Sequence, residues 1–191
     1  MSSGVADLAM SSDMHYAAIL FGPNHRGRIF AVLEDPVKRA VRLQYDGTVG
    51  LVPDDSQSLV DFARSDELVD NWMVRALTNE PRGELTSAHL DAAREILRRK
   101  VIVGFTELFE ASMDRFDSYF GWHLADDQAK CRDRLVDEQV KTRQAFDLRM
   151  SVEEYRALSA RLWADVQLFE YAKILYTEQG ALVQAAQSVS K

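Results

Sequence analysis

The fold can be inferred first from residues 28–39, which read Arg28-Ile29-Phe30-Ala31-Val32-Leu33-Glu34-Asp35-Pro36-Val37-Lys38-Arg39. The first half is a continuous apolar run of strand length, which is typical of a parallel strand covered on both faces. Asp35 suits the N-cap of a helix, and Pro36 suits its first position, where a missing N–H costs nothing. One apolar helical face follows, at Val37, Ala40 and Val41. This pattern predicts a strand, a tight turn and a helix.

A second apolar run of strand length occupies residues 101–105. It follows an amphipathic pattern that begins after Thr86 and ends in basic residues, as suits the negative end of a helix dipole. Thr106 is expected to cap the next helix, over 107–120, and Gly121 to end it. Further helical periods cover residues 59–63, 68–77, 126–146 and 152–175. The sequence therefore predicts a helix-rich α/β fold with a short parallel sheet flanked by helices.

The domain boundaries follow from the segments that lack a clear period. Residues 1–13 are expected to be a frayed N-terminus and residues 47–57 a long loop. The tetrapeptide Ser151-Val152-Glu153-Glu154 has capping-box spacing. Gly180 is expected to end the packed part of the last helix. We therefore predict one domain over residues 14–180 and a flexible tail over residues 181–191.

Composition excludes several function classes. The formal net charge of −7 argues against binding a nucleic-acid polymer, because neutralising phosphates takes clustered cations, whereas a small anion needs only a few. Cys131 is the only cysteine, so neither an intramolecular disulfide nor a thiolate metal cluster is expected. No secretory signal is recognisable, and no apolar run approaches the ~18 residues of a membrane span. No metal site is predicted, since no pair of histidines has ligand spacing.

The aromatic residues on helices and the histidines are assigned mainly structural positions. Four aromatic side chains at helical spacing are predicted to be core: Trp72, Phe116, Phe120 and Trp122. His25 and His89 are read as surface residues and His123 as a packing residue.

Several blocks, in order along the chain, resemble one known family. Residues 30–41 look like its R-D/H-P-x-x-R-x-x-S turn, and Asn71-Trp72-Met73-Val74-Arg75-Ala76-Leu77-Thr78 is similar to its N-x-x-V/T-R-x-L helix. Residues 85–93 and 103–107 continue the order, together with Ser112-Met113 and Phe120-Gly121-Trp122. Ala164-Asp165-Val166-Gln167-Leu168-Phe169-Glu170-Tyr171-Ala172 looks like its terminal D-x-x-L-Y-E-Y-A helix. The family is the Golgi-type carbohydrate sulfotransferases, relatives of heparan sulfate 2-O-sulfotransferase, and the resemblance covers roughly residues 12–180.

The resemblance implies a P-loop-like fold and a cofactor, 3′-phosphoadenosine 5′-phosphosulfate. Members of the family transfer its sulfuryl group in line to a hydroxyl, usually of a glycan, while cations and backbone amides hold the charge on the leaving phosphate. The family's first cofactor-binding loop has no counterpart here, so the fold is expected to be partial and N-terminally incomplete. A partner chain or an oligomer would have to supply that loop. The resemblance implies the Golgi, whereas the sequence shows neither signal nor anchor, so the compartment stays open.

The resemblance also supplies candidate site residues. His15 is the nearest match to the catalytic base, with Asp13 as the alternative at a small offset. Arg39 and Arg42 are candidates for the cofactor's 3′-phosphate, although Glu34 stands where the family has its leading Arg and would repel a phosphate. Arg75 either approaches the cofactor or acceptor, or pairs with Asp70 or Asn79.

Three hypotheses follow. The chain is a sulfotransferase or the catalytic part of one; or it is a truncated or degenerate non-catalytic relative that acts as a binding or interaction module; or it is a mostly helical interaction protein unrelated to that family. The third hypothesis predicts that residues 29–33 and 101–105 do not form a parallel strand pair. None of the three hypotheses specifies a hydroxyl acceptor.

Overall fold

The computed structural model describes residues 11, 14–19, 27–45, 58–122, 126–144 and 150–189. Two strands and nine helices lie in these ranges, in the order α1 (Met14–Ala18), β1 (Ile29–Leu33), α2 (Pro36–Tyr45), α3 (Leu59–Arg64), α4 (Trp72–Thr78), α5 (Ser87–Lys100), β2 (Val101–Phe105), α6 (Phe109–Phe120), α7 (Asp126–Gln144), α8 (Val152–Arg161) and α9 (Trp163–Val189). The fold is therefore a helix-rich α/β fold, as predicted.

The two strands form a parallel two-stranded sheet. Ile29 lies opposite Val101, and the register continues to Leu33 opposite Phe105. The predicted parallel pair is confirmed, and the hypothesis of a helical protein without that pair is wrong. Each strand forms because a short run of apolar and β-branched side chains covers both of its faces.

The larger hydrophobic core packs α4, α5 and α9 against one face of β2. Its buried members include Val74, Leu97, Val103 and Leu168. On the other face, Gly104 of β2 lies against Ser112 and Phe116 of α6. A second core joins α2, α3 and α8 through Val41, Phe62 and Leu158, among others. The helical period of each segment explains this burial, because apolar side chains three and four residues apart share one face.

The ends of several helices follow the local sequence. The capping box at Ser151 forms, with the backbone N–H of Ser151 donating to Glu154 at 2.7 Å and the N–H of Glu154 donating to the Ser151 hydroxyl at 3.2 Å. Gly121 ends α6 in the left-handed region with φ of 69°. His89, read from sequence as a surface residue, lies at the exposed start of α5 and caps it by accepting the backbone N–H of Thr86 at 3.0 Å.

Three details of the helical prediction are corrected. A short 3₁₀ turn, Thr106–Leu108, precedes α6, so Thr106 does not cap that helix directly. The last helical segment is two helices, separated at Leu162, whose φ and ψ are −101° and 26°. The helix α9 continues past Gly180 to Val189. Trp72 and Trp122 are each 38% exposed rather than core, while Phe116 is buried as predicted.

Several predictions fall outside the described residues. These are the loop over 47–57, most of the N-terminal segment 1–13 including Asp13, and the histidines His25 and His123. Among the described helices, none combines the length and apolar character needed to cross a membrane.

Candidate functional site

The turn after β1 is closed by the chain's own carboxylate. Asp35 accepts the backbone N–H of Val37 at 2.9 Å and that of Lys38 at 3.0 Å, both through Oδ1. Pro36 has no N–H to offer at the first helical position. Asp35 is thus the predicted N-cap, and it occupies the donors at the positive end of α2 that a bound phosphate would use.

Glu34 and Arg42 form a two-pronged ion pair beside this turn. Arg42 donates to Glu34 through Nε at 3.1 Å and through Nη2 at 2.8 Å. Both side chains are largely shielded from solvent. A two-pronged contact of this kind satisfies the planar guanidinium as a phosphate would. Glu34, which departs from the family pattern, therefore binds Arg42, one of the two arginines predicted to hold the 3′-phosphate.

The guanidinium of Arg39 lies on the ring of Trp72. The guanidinium carbon is 4.5 Å from the ring centroid, and burial is the main reason why the pKa of Arg39 is lowered. Asp165 and Glu34 lie close enough to oppose that lowering. The ring of Trp72 thus packs against a partly buried cation, and its other side stays open to solvent, so Trp72 is 38% exposed.

The segments around Asn71 and Asp165, on which the resemblance partly rests, lie in contact. A side chain from each segment caps the helix that starts in the other. Asp165 accepts the backbone N–H groups of Met73 and Val74 of α4, at 2.9 and 2.8 Å. Asn71 accepts the backbone N–H groups of Ala164 and Asp165 at the start of α9, at 2.8 and 3.1 Å. Both capping side chains are almost completely buried. Desolvation raises the pKa of Asp165 to about 6, against the opposing hydrogen bonds and the nearby Arg39.

Arg75 is bound within the protein. It donates to both carboxylate oxygens of Asp70, at 3.0 and 2.9 Å, and to the carbonyl oxygens of Asp70, Glu80 and Gly83. It is only 9% exposed. Of the two alternatives for this residue, the structure shows the pairing with Asp70, in a buried rather than a solvated setting. Arg75 thereby holds the end of α4 to the following turn.

His15 lies on the short helix α1 and contacts α4. Its Nε2 is 2.9 Å from the carbonyl oxygen of Leu77. The four predicted site residues thus have separate surroundings. The structure brings only Arg39 and Arg42 together, on one helix, and does not gather the set around one point.

A cleft among the described residues lies next to the turn, at the carboxyl ends of the two strands. It has a volume of about 430 Å³ and is lined by Asp35 and Lys38 after β1, by Phe105, Glu107 and Leu108 at the end of β2, and by Phe169, Lys173, Tyr176 and Thr177 of α9. Ligands of open α/β sheets bind in the crevice at this end of the strands. None of His15, Arg39, Arg42 and Arg75 lines the cleft.

Opposite charges alternate around the cleft. Lys38 lies 3.4 Å from Glu107, and Lys173 lies 2.6 Å from Glu170. The hydrogen bond to Glu170 raises the pKa of Lys173, with smaller contributions from Asp35 and Glu107. The cleft therefore offers ammonium donors and carboxylate acceptors side by side, with a balanced rather than strongly positive charge.

Aromatic rings form the apolar wall of the cleft. The ring of Phe105 contacts those of Phe169 and Tyr176, with centroid separations of 5.2 and 5.3 Å. Arg115 covers the Tyr176 ring and donates to its carbonyl oxygen at 2.7 Å. Lys173 reaches over Phe169, 4.9 Å from its centroid. An apolar wall with a few convergent polar groups is the usual composition of a small-molecule site.

Of the cleft residues, the sequence singled out only Asp35 and Lys38, as parts of the turn after β1, and it did not predict the cleft. One signal was present, because Asp35 and Glu107 each follow a predicted parallel strand and the carboxyl ends of such strands share one edge of a sheet. Lys173, Tyr176 and Thr177 gave no comparable signal, since they lie in the middle of a helix that reads as amphipathic.

Comparison of this chain with known protein families, with curated proteins and with solved structures finds no match. Within the part of the chain that the structure describes, no three His, Cys, Asp or Glu side chains are arranged to hold a metal ion.

Proposed function

We propose that this chain is a sulfotransferase-like protein that has a closed phosphate turn and acts as a non-catalytic, carbohydrate-binding module. The observation that carries the proposal is the two-pronged pair of Glu34 with Arg42, next to the α2 N-terminus that Asp35 occupies. The resemblance assigns this turn to the 3′-phosphate of the cofactor. Two carboxylates hold its positions instead, and they repel a phosphate.

The cleft beside the turn supports the binding role. A sugar presents hydroxyl groups around its edge and C–H groups on its ring face. The carboxylates of Asp35 and Glu107 accept hydrogen bonds from hydroxyls, Lys38 and Lys173 donate to ring or carboxylate oxygens, and the rings of the wall contact the C–H face. The volume of about 430 Å³ falls within the range of small-molecule sites.

The closed turn is tested by thermal unfolding with adenosine 3′,5′-bisphosphate. A compound that binds the native state raises the unfolding midpoint, so the proposal predicts no rise for the wild-type chain at millimolar nucleotide. Glu34→Gln removes the charge that holds Arg42, and we expect this variant to gain a response. Glu95→Gln is the matched control, because Glu95 pairs with Arg98 on the exposed face of α5, far from the turn in sequence. A rise for the wild type would overturn the proposal, and a rise for the control alone would reveal non-specific binding to freed arginines.

Carbohydrate binding is tested by calorimetric titration with N-acetylglucosamine and with glucuronate. Lys173→Met keeps an unbranched apolar side chain and removes the ammonium that lies over Phe169, with one charge-assisted hydrogen bond, so we expect roughly tenfold weaker binding. Lys130→Met on the exposed face of α7 is the matched control and should bind as the wild type does. Absence of heat for both sugars, or equal loss in both variants, would contradict a carbohydrate site in this cleft.

One observation favours sulfuryl transfer as a second candidate. Lys38 and Lys173 lie at the carboxyl ends of parallel strands, where a transferred anion would be held in an α/β enzyme. Incubation with 3′-phosphoadenosine 5′-phosphosulfate and an oligosaccharide, followed by mass spectrometry, separates the candidates. A sulfated product would establish the enzyme and reject the non-catalytic role.

A further inference from the structure

The outer edge of β2 is closed by side chains. The amide of Gln179 on α9 accepts the backbone N–H of Val103 at 2.9 Å and donates to the carbonyl oxygen of Val101 at 2.8 Å, as a neighbouring strand would. The hydroxyl of Ser112 on α6 accepts the N–H of Phe105 at 2.8 Å and lies 3.2 Å from its carbonyl oxygen. Gln179 and Ser112 are both buried, so this edge is not available to another strand.

These contacts also fix the direction of the backbone groups on β1. Within a strand, alternate residues direct their N–H and C=O groups to opposite sides. The backbone N–H and C=O groups of Val101, Val103 and Phe105 point away from β1. The backbone groups of Ile102 and Gly104 therefore bond to β1. In the observed register, Ala31 of β1 is bonded to β2, and Phe30 and Val32 direct their N–H and C=O groups away from the sheet.

The outer edge of β1 contrasts with that of β2. Among the described residues, none bonds to the outward backbone groups of Phe30 and Val32. Every residue of β1 is only partly buried, whereas four of the five residues of β2 are buried. The ring of Phe30 contacts that of Trp122, with a centroid separation of 5.9 Å, and Trp122 is 38% exposed. An apolar edge with unpaired backbone groups is a template for pairing with another strand.

We propose that β1 pairs with β1 of a second copy of this chain, antiparallel and across a two-fold axis at Ala31. With the axis at Ala31, Phe30 lies opposite Val32 of the second copy. Each such pair exchanges both N–H···O bonds, because the backbone N–H and C=O groups of both residues point outward. The pairing joins an aromatic and a β-branched side chain, a favourable cross-strand combination. The result is a four-stranded sheet whose outer edges are both closed by Gln179 and Ser112.

Charge complementarity selects the second copy and this register. Residues 28 and 34 flank β1 with opposite charges, and the two-fold axis at Ala31 places Arg28 opposite Glu34 of the second copy. Arg28 is exposed at the start of the strand, over the rings of Tyr119 and Phe120. In this register Arg28 of the second copy would approach the existing pair of Glu34 with Arg42. Cross-strand pairs of opposite charge are favourable and like charges are unfavourable.

Sedimentation equilibrium of the full chain over a range of concentrations tests the proposal. The wild type should approach the mass of a dimer at sub-millimolar concentration. Val32→Pro should be monomeric, because it removes an outward N–H while leaving the bonds to β2, as proline does on edge strands. Val32→Thr, which keeps that N–H, should still dimerise. A monomeric wild type, or a dimer that survives Val32→Pro, would overturn the proposal.

Charge reversal tests the register independently of strand stability. Arg28→Glu places like charges opposite each other in a homodimer, and so does Glu34→Arg, so each variant alone should dimerise less. Mixed together, the two variants restore both opposite-charge pairs and should form a heterodimer, detectable by native mass spectrometry. Circular dichroism confirms that each variant is folded. Two folded single variants that dimerise as the wild type does, or that fail to associate when mixed, would reject the antiparallel register.

Discussion

At the scale of single residues, carboxylates decide what the region around α2 and α4 can bind. Glu34 binds Arg42, and Asp35 caps α2. Neither the guanidinium of Arg42 nor the N-terminus of α2 is therefore open to an anion. Asp165 differs from both, because it is buried and its pKa is raised. The two hydrogen bonds that Asp165 accepts from α4 stabilise the fold, whereas the burial of its charge destabilises it.

We predict that Asp165 makes the protein less stable as the pH rises. Its pKa is raised from 3.8 to about 6, so between these values the folded state binds more protons than the unfolded state. The free energy of unfolding therefore falls as the pH rises through this window, by roughly 3 kcal/mol from this group. Denaturation of the wild type and of Asp165→Asn from about pH 4 to pH 7 isolates the effect, since other groups cancel in the difference. A difference that does not change with pH would contradict the raised pKa.

At the scale of elements, β2 and α6 lie in tight contact at Gly104. A Cβ added to Gly104 would lie 2.7 Å from both Cζ of Phe116 and Cβ of Ser112. Ser112 also binds the backbone of Phe105, so the helix cannot move away without losing the closure of the β2 edge. Gly104 is therefore required by space, since its φ is not in the left-handed region.

We predict that Gly104→Ala lowers the free energy of unfolding by about 1–3 kcal/mol, as overpacking of a core does. Gly180→Ala is the matched control. Its added Cβ meets only the end of the Arg115 side chain, which can shift, and alanine favours a helix over glycine by up to about 1 kcal/mol. Urea denaturation should therefore show a neutral or stabilised Gly180→Ala. Equal effects of the two substitutions would argue against the tight contact at Gly104.

Local signals explain which elements the sequence predicts well. β1 and α2 follow from an apolar run and from a cap within three residues, and α8 follows from Ser151 and Glu154. The break before α9 could not be predicted, because the acceptor for its first N–H groups is Asn71, 93 residues away. Gly180 lies inside α9, so this helix tolerates the cost of one glycine.

The candidate site was harder to predict than the fold. Its polar residues come from the turn after β1, from the end of β2 and from the middle of α9, and only the fold brings them together. Two of the three arginines chosen by resemblance, Arg42 and Arg75, are bound instead by carboxylates that the sequence shows, Glu34 and Asp70. Which of several nearby acids an arginine contacts depends on tertiary geometry, so the sequence left this choice open.

At the scale of the whole molecule, one junction ties the middle of the chain to its last helix. Asn71 caps α9 and Asp165 caps α4, so each helix start is formed by a side chain from the other. The amide of Asn71 also donates to the carbonyl oxygen of Arg161 at the end of α8. The larger core, around α4 and α9, and the second core, around α8, therefore meet at this residue.

We predict that substitutions at this junction are not additive. Asn71→Ala leaves two buried N–H groups of α9 unpaired and also strains a backbone with φ of 49°, so a loss of roughly 2–4 kcal/mol is expected. Asn71→Gly also removes the cap, but glycine adopts this φ without strain. It should therefore lower the free energy of unfolding less than Asn71→Ala does. Asp165→Ala should be destabilising by itself but should add less than its full cost once Asn71 is replaced, because the start of α9 that places residue 165 is already lost. Equilibrium denaturation of both single variants and the double variant measures this coupling, which we expect to lie between about 0.5 and 3 kcal/mol. Full additivity would show that the two caps act independently and that the cores are joined elsewhere.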